Sequence, residues 1–321
     1  MRIISLTIIT LLFIGCAKLS KTNELKLGHG LEATQPVHLA MQYMADRLAE
    51  KSDNKFTIKI YPSQQLGTER ELVELLQIGS LAMTKVSAGT LESFSPGMRV
   101  FGLPFLFRDK KHGFDFMDSK IGKTLLTQSE KYWLRGVTFF DAGSRSFYTK
   151  DKRVNTPEDL EGLKIRVMES PSAMTMVSEL GGSPTPIAWG ELYTALQQGV
   201  VDGAENNPPS FYFSHHYEVC KYYIIDEHTL LPDVLLISTI IWNKLTDQEK
   251  VWLQEAADEA TLYQRKLWEK VELEVLEEVK KAGVEIIYPD KSLFSSKVAG
   301  MYEEFEKDES LAQMIKDIKT F

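Results

Sequence analysis

The sequence has few cysteines, no basic segment and none of the short motifs that mark common catalytic sites. It contains two cysteines in 321 residues, and its net charge is −8. This acidic balance argues against nucleic acid as a partner, because nucleic-acid-binding proteins carry clustered basic residues. The zinc motif HExxH, the nucleophile turn GxSxG and the P-loop are all absent, so the sequence predicts neither a catalytic centre nor a cofactor.

Only one long hydrophobic run occurs, and it lies at the N-terminus. Arg2 precedes the run Ile3–Ile14, which is too short to span a bilayer and is typical of a signal peptide. Gly15 and Cys16 follow in a pattern like a lipoprotein cleavage site. We predict cleavage before Cys16, lipidation of its thiol and a tether over residues 16–22. Cys220 is then left without a disulfide partner and is expected to be a small buried residue.

The stretch Gly162–Pro209 has the pattern of alternating strands and helices. The predicted elements are strands at Leu163–Val167, Ser183–Ala188 and Val200–Glu205, with helices beginning at Pro171 and Gly190. Ligands of such α/β units bind beyond the carboxyl ends of the strands. Arg166 and Asn206 fall at two of these ends, beside a predicted helix N-terminus, and this combination favours binding of a carboxylate.

Two further residues extend this predicted site. Arg145 follows the predicted strand Val137–Asp141, and Trp189 lies at a strand-to-helix corner, where its ring could form a flat wall of a cleft. Each residue also has a simpler interpretation. An arginine is most often a solvated surface group, Trp189 could belong to the core, and Asn206 could be a turn residue. Their convergence at strand ends favours the binding site.

A weak pattern near the N-terminus favours a different ligand. Gly28, Gly30 and Ala33 fit the spacing of a dinucleotide-binding turn, but the next helix begins only at Pro36. That start is too late for the helix to hold a pyrophosphate, so we do not favour this interpretation.

A long helix is predicted in the last third of the chain. Thr246 and Glu249 form a capping-box pattern, and the helical pattern then continues to Ala282. Such a helix would be on the order of 55 Å long, longer than one domain of this size. Its apolar positions do not keep a strict heptad, so a single helix lying across two domains is favoured over a coiled coil.

Several motifs together resemble the DctP-type solute receptors of TRAP (tripartite ATP-independent periplasmic) transporters. The matching segments are Tyr61–Gly67, Leu103–Phe107, Gly162–Val167, Ser183–Pro186, Glu191–Gly199, Val201–Asn206 and Phe211–Tyr223. The resemblance implies a two-domain α/β fold of the periplasmic-binding-protein type, with hinge strands and a long helix crossing both domains. It also implies a protein that binds a small organic acid and delivers it to the membrane subunits of a transporter, without catalysis.

The resemblance also implies roles for single residues. Arg166 would pair with the ligand carboxylate, and Arg145, Asn206 and Trp189 would complete that part of the site. Glu169 and Ser170 follow Arg166, where other ligand contacts of the family often lie. Weaker candidates are His29, Glu32, Glu69 and Ser87. The family motif usually has proline directly after the asparagine, whereas this chain has Asn207 there.

The resemblance also implies how the chain is divided into domains and which ligand it binds. We expect residues 1–15 as signal peptide, 16–22 as tether, 23–142 and 232–271 as one domain, and 143–231 as the other, with 272–321 packing on the latter. Trp189 and the polar flank favour a hexuronate such as glucuronate or galacturonate, and a four-carbon dicarboxylate or 2-oxo acid is the alternative. A secreted hydrolase or lyase acting on acidic sugars is the competing class.

Overall fold

A computed structural model describes residues 23–321 of the chain. The predicted signal peptide, the tether and Cys16 lie outside the described residues. Within residues 23–321, no helix combines the length and the apolar content needed to cross a bilayer.

The described residues form eleven strands. In chain order they are β1 (Asn23–His29), β2 (Phe56–Tyr61), β3 (Met83–Ser87), β4 (Leu134–Phe140), β5 (Ser144–Thr149), β6 (Lys164–Val167), β7 (Ser183–Pro186), β8 (Gly203–Asn206), β9 (Tyr222–Leu230), β10 (Asp233–Ser238) and β11 (Glu285–Ile287).

Thirteen α-helices accompany these strands in the described part of the chain. They are α1 (Pro36–Lys51), α2 (Glu69–Gln77), α3 (Ala88–Leu91), α4 (Lys110–Asp118), α5 (Lys120–Gln128), α6 (Pro171–Glu179), α7 (Leu192–Gln198), α8 (Pro208–Phe213), α9 (Thr239–Trp242), α10 (Asp247–Lys281), α11 (Lys291–Lys297), α12 (Gly300–Phe305) and α13 (Glu309–Lys319).

The strands build two separate mixed sheets. One has the order β2-β1-β3-β10-β4, and the other has the order β11-β9-β5-β8-β6-β7. In the first sheet β1 runs parallel to β2 and β3, whereas β10 runs antiparallel to β3 and β4. In the second, β6 is parallel to β7 and β8, and β5 is antiparallel to β8 and β9. This is the two-domain α/β architecture that the sequence predicts.

Two short connections carry the chain between the sheets. Residues 141–143 join β4 of the first sheet to β5 of the second, and residues 231–232 join β9 back to β10. The first connection is held to the long helix, because the amide of Gln264 bonds both the N–H and the C=O of Asp141, at 2.9 and 2.7 Å.

The long helix α10 is continuous over 35 residues, as predicted. Thr246 caps it, and Glu249 bonds back to the Thr246 N–H, which completes the predicted capping box. The helix packs on α1 and β4 beside the first sheet and on α8 beside the second. Beyond it, α11 packs on β9, whereas α13 packs on the 3-10 turn Pro96–Gly102.

Candidate binding site

A cleft between the two sheets collects most of the residues that the sequence singles out. Its interior space is small, about 60 Å³, and reaches about 520 Å³ only when the open solvent at its mouth is counted. Arg145, Arg166, Trp189, Asn206, Asn207 and Ser210 line it from the second sheet's side, and Gly30, Leu31, Glu69, Lys85, Ser87 and Asp233 line it from the first sheet's side. Larger clefts lie beside α10, and some of the cations at their walls pair with neighbouring carboxylates, as in Lys110–Glu272 and Arg265–Asp118.

Arg166 is buried at the cleft with much of its guanidinium available. Arg166 lies on β6, and its Nε donates to the carbonyl of Ile187 at 2.9 Å. Its guanidinium carbon, Cζ, lies 5.6 Å from the centroid of the Trp189 ring. Among residues 23–321, no acceptor bonds its two terminal nitrogens and no carboxylate lies within ion-pair distance. Burial lowers the pKa of Arg166. A ligand carboxylate would offset the cost of burying the charged guanidinium and could bond both terminal nitrogens at once.

Arg145 differs from Arg166, because most of its donors are already used within the protein. It bonds both carboxylate oxygens of Glu205, at 2.5 and 2.9 Å, and the Glu205 backbone carbonyl at 2.8 Å. Its Nη1 donates to Oδ1 of Asn206 at 2.8 Å. Arg145 therefore fixes the position of the Asn206 amide more than it presents a free fork to a ligand.

Three buried ionisable residues, His228, Asp226 and Glu205, form a charged network with Arg145. His228 is buried, with Nδ1 2.8 Å from Asp226 and Nε2 3.4 Å from Glu205. Burial opposes its charge, but Asp226 and Glu205 outweigh burial and raise the pKa of His228 to about 9. Burial likewise acts against the Glu205 carboxylate, yet Arg145 and His228 lower the pKa of Glu205 to about 2. The two cations and two carboxylates compensate each other. Of the cations that line the cleft in the described part of the chain, Lys85 and Arg145 pair with carboxylates and Arg166 does not.

The amide of Asn206 is oriented by its neighbours. Its Oδ1 accepts from Arg145 and also from the Asn207 backbone N–H at 2.9 Å. The Nδ2 donors therefore remain for a ligand. Asn207 caps α8, with its Oδ1 accepting from the Ser210 N–H at 2.7 Å, which leaves its own Nδ2 at the cleft.

The opposite wall carries a compact charged cluster. The ammonium of Lys85 bonds Glu69 and Asp233, both at 3.1 Å. Glu69 also accepts from the Thr90 hydroxyl at 2.8 Å and the Ser87 N–H at 3.2 Å. One ammonium faces two carboxylates here, so this wall holds one excess negative charge.

Four predicted site residues have other places or partners. His29 is buried outside the cleft lining and bonds His38 at 3.0 Å. Glu32 accepts from Ser214 at 3.3 Å, which joins the two sides of the molecule at one edge. Glu169 is half exposed at the cleft mouth, 3.8 Å from Arg70. The hydroxyl of Ser170 caps α6 and donates to Glu92 at 2.7 Å.

Glu92 occupies the helix N-terminus that the sequence suggested as part of a carboxylate site. Its buried carboxylate accepts from the Ser172 N–H at 2.9 Å and from the Ser170 and Ser172 hydroxyls at 2.7 and 2.6 Å. The positive end of α6 is therefore satisfied by the protein itself. The expectation that this helix end assists the ligand is not met, because Glu92 already takes its donors.

Buried neutral histidines near the cleft predict a loss of stability in acid. Burial lowers the pKa of His29 to about 2, and burial, aided by the Arg166 charge, lowers the pKa of His216 to about 3. Unfolding frees both rings to bind protons below their ordinary pKa of about 6.5, so the free energy of unfolding should fall as pH drops below that value. The limit is about 1.4 kcal/mol per pH unit for each histidine.

Urea titrations between pH 7 and pH 5 would measure this slope. His216→Asn should flatten it by close to one histidine's share, because the Asn oxygen can still accept from the Tyr148 hydroxyl, which lies 2.9 Å from His216 Nδ1. His215→Asn is the matched control, since that neighbouring ring is exposed. Equal slopes for the wild type and His216→Asn would contradict the assignment of a buried neutral ring.

Comparisons with known proteins agree with the two-domain α/β fold. Residues 27–308 match the family model described as bacterial extracellular solute-binding protein, family 7, DctP. A TRAP periplasmic solute-binding protein from Xanthobacter autotrophicus Py2 with bound β-D-galacturonate is 40% identical, with a TM-score of 0.90 over 92% of this chain and 99% of that one.

Two further solved structures show the range of ligands among similar proteins. The protein from Pseudomonas putida F1, with bound D-glucuronate, is 36% identical, with a TM-score of 0.90 over 93% of this chain and 97% of that one. A protein from Polaromonas sp. JS666, bound to D-erythronate, is 33% identical, with a TM-score of 0.89 over 92% and 98%. The chain therefore belongs to the DctP family of solute-binding proteins that serve TRAP transporters.

Proposed function

We propose that the protein binds a hexuronate such as glucuronate or galacturonate outside the cytoplasm and delivers it to the membrane subunits of a TRAP transporter. The observation that carries the proposal is the buried Arg166 guanidinium, which faces the cleft with no carboxylate partner among residues 23–321. Similar proteins with 36–40% identity hold galacturonate or glucuronate. Recognition, not catalysis, is the role that such a site supports.

Each wall of the cleft suits a different part of a sugar acid. The ligand carboxylate would bond the terminal nitrogens of Arg166, with the amide donors of Asn206 and Asn207 beside it. The face of Trp189 would pack on the C–H groups of the pyranose ring. The carboxylates of Glu69 and Asp233 would accept hydrogen bonds from the ring hydroxyls. Arg145 would act as a positioning residue, because it orients Asn206 and does not present a free fork.

Binding would couple to closure of the two sheets around the ligand. Arg166 and Trp189 belong to the side of the second sheet, and Lys85 and Asp233 belong to the first. A ligand that bonds both sides stabilises the closed arrangement. Closure also excludes water, which strengthens the pair between Arg166 and the carboxylate.

Calorimetry with glucuronate, galacturonate, succinate, pyruvate and erythronate tests the ligand. We expect binding of at least one hexuronate and weaker or no binding of the other acids. Tight succinate binding without heat from either hexuronate would overturn the proposal in favour of the dicarboxylate alternative. Mass spectrometry of the same mixtures tests the hydrolase or lyase alternative, since conversion of the acid would reveal an enzyme.

The lipid anchor is part of the same proposal and rests on sequence alone. The run before Cys16 and the small residue Gly15 favour lipidation, which would hold the receptor at a membrane surface. In cells, Cys16→Ser should abolish labelling by a fatty-acid probe and release the protein from the membrane fraction. Cys220→Ser is the control. Unchanged membrane retention of Cys16→Ser would show that the mature protein is not anchored through this residue.

A further inference from the structure

The two ends of the cleft carry opposite excess charge, and this asymmetry has a consequence for ligand choice. Arg166 contributes one positive charge without a carboxylate partner among the described residues. The cluster of Lys85, Glu69 and Asp233 contributes one excess negative charge on the other wall. All four side chains line the same cavity. A bound acid therefore places its carboxylate at one charge and its remaining groups near the opposite one.

We propose that Lys85 and Asp233, with Glu69, form a charge filter that accepts the hydroxyl end of a monocarboxylic sugar acid and rejects the second carboxylate of a dicarboxylic one. The filter rests on the proposed function, because it assumes that a sugar acid carboxylate binds Arg166. It adds a specificity role for two residues, Lys85 and Asp233, that the sequence does not single out.

The filter residues are held rigidly. Lys85 is 2% exposed in the middle of β3, and Asp233 is 7% exposed at the start of the neighbouring strand β10. Two of the three ammonium donors of Lys85 are committed to Glu69 and Asp233. Since two carboxylates already neutralise this ammonium, it cannot also compensate an incoming ligand carboxylate. Its third donor can still bond a hydroxyl oxygen.

A hydroxyl and a carboxylate meet this wall very differently. A hydroxyl can donate to an oxygen of Glu69 or Asp233 and accept from Lys85, so every group is satisfied. A second ligand carboxylate has no proton to donate and would face the excess negative charge at low dielectric. Lys85 and Asp233 are buried and Glu69 is mostly so, with a side chain that is 19% exposed, so solvent screens this repulsion only in part.

Glu169, an acidic residue that the sequence predicts at the site, is poorly placed for this role. Its side chain is 48% exposed and lies 3.8 Å from the Arg70 cation at the cleft mouth. Solvent and Arg70 both weaken its field on a ligand inside the cleft. The discrimination should therefore come from Asp233 and Glu69.

The test compares glucuronate with glucarate, which has a second carboxylate in place of the aldehyde group of glucuronate. Gluconate is included because it shares the open chain of glucarate but has one carboxylate. Calorimetry on the wild type should show much tighter binding of glucuronate than of glucarate. In Asp233→Asn, which keeps the shape of the side chain and leaves Lys85 paired with Glu69, that ratio should fall by about tenfold or more.

Glu169→Gln is the matched control, and its ratio should equal that of the wild type. Circular dichroism melting would establish that Asp233→Asn is folded, and Glu69→Gln provides a second neutralising variant that should shift the ratio in the same direction. Equal affinity of the wild type for glucuronate and glucarate would overturn the filter. So would an unchanged ratio in both folded variants. Absence of glucuronate binding by the wild type would instead contradict the proposed function itself.

Discussion

Replacing Arg166 by lysine should remove most of the affinity for the acid ligand although the positive charge is kept. The guanidinium can bond both oxygens of a carboxylate and still donate through Nε to the Ile187 carbonyl. An ammonium offers a single point of contact and would leave that carbonyl without its donor. Disrupting one partner of a buried charge-assisted pair costs about 2–5 kcal/mol. That cost corresponds to a loss of roughly 30- to 5,000-fold in affinity.

Calorimetry with the cognate acid would measure the loss, and Arg70→Lys provides the control. Arg70 lies at the cleft mouth with a side chain that is 49% exposed and pairs with Glu74. Its replacement should change the affinity by less than about threefold, because exposed ion pairs contribute little. An Arg166→Lys protein that binds the acid as tightly as the wild type would remove the basis of the proposed site.

The alternating elements around the cleft could be predicted because their apolar residues recur at strand or helix spacing. The capping box at Thr246 likewise predicted the start of the long helix. By contrast, the sequence did not predict β9, although this strand is paired on both sides in the second sheet, between β11 and β5. Its buried Asp226 and His228 interrupt the apolar pattern. The charged residues Asp226 and His228 thus kept β9 from being recognised as a strand in the sequence.

The candidate site shows the same limit. Residues at the carboxyl ends of strands, such as Arg166 and Asn206, could be placed at the cleft because strand ends meet at one edge of a sheet. The hydrogen-bond partner of each polar group could not be predicted, because partners such as Glu92 and Ser170 lie far apart in the sequence. The overlooked groups did leave a signal: Lys85 and Glu205 are charged residues inside apolar strands, and such residues are rarely buried without a partner.

Removing the charge of Glu205 should destabilise the protein more than any other single carboxylate change near the cleft. Glu205 is 1% exposed and compensates Arg145 while it contacts His228. In Glu205→Gln the buried network would hold two cations against Asp226 alone, and the new amide would turn a donor towards other donors. Breaking a buried ion pair in this way costs about 3–5 kcal/mol.

Urea unfolding at pH 7 would measure this cost, with Glu218→Gln as the control. Glu218 pairs with His215 at the surface, so its replacement should change the free energy of unfolding by less than about 0.5 kcal/mol. The double variant Arg145→Met, Glu205→Gln adds a test of coupling. Because it removes both charges of the pair, its destabilisation should be smaller than the sum of the two single changes. Simple additivity, or a Glu205→Gln protein as stable as the wild type, would mean that Arg145 finds its compensation elsewhere and that Glu205 does not hold Arg145 in place.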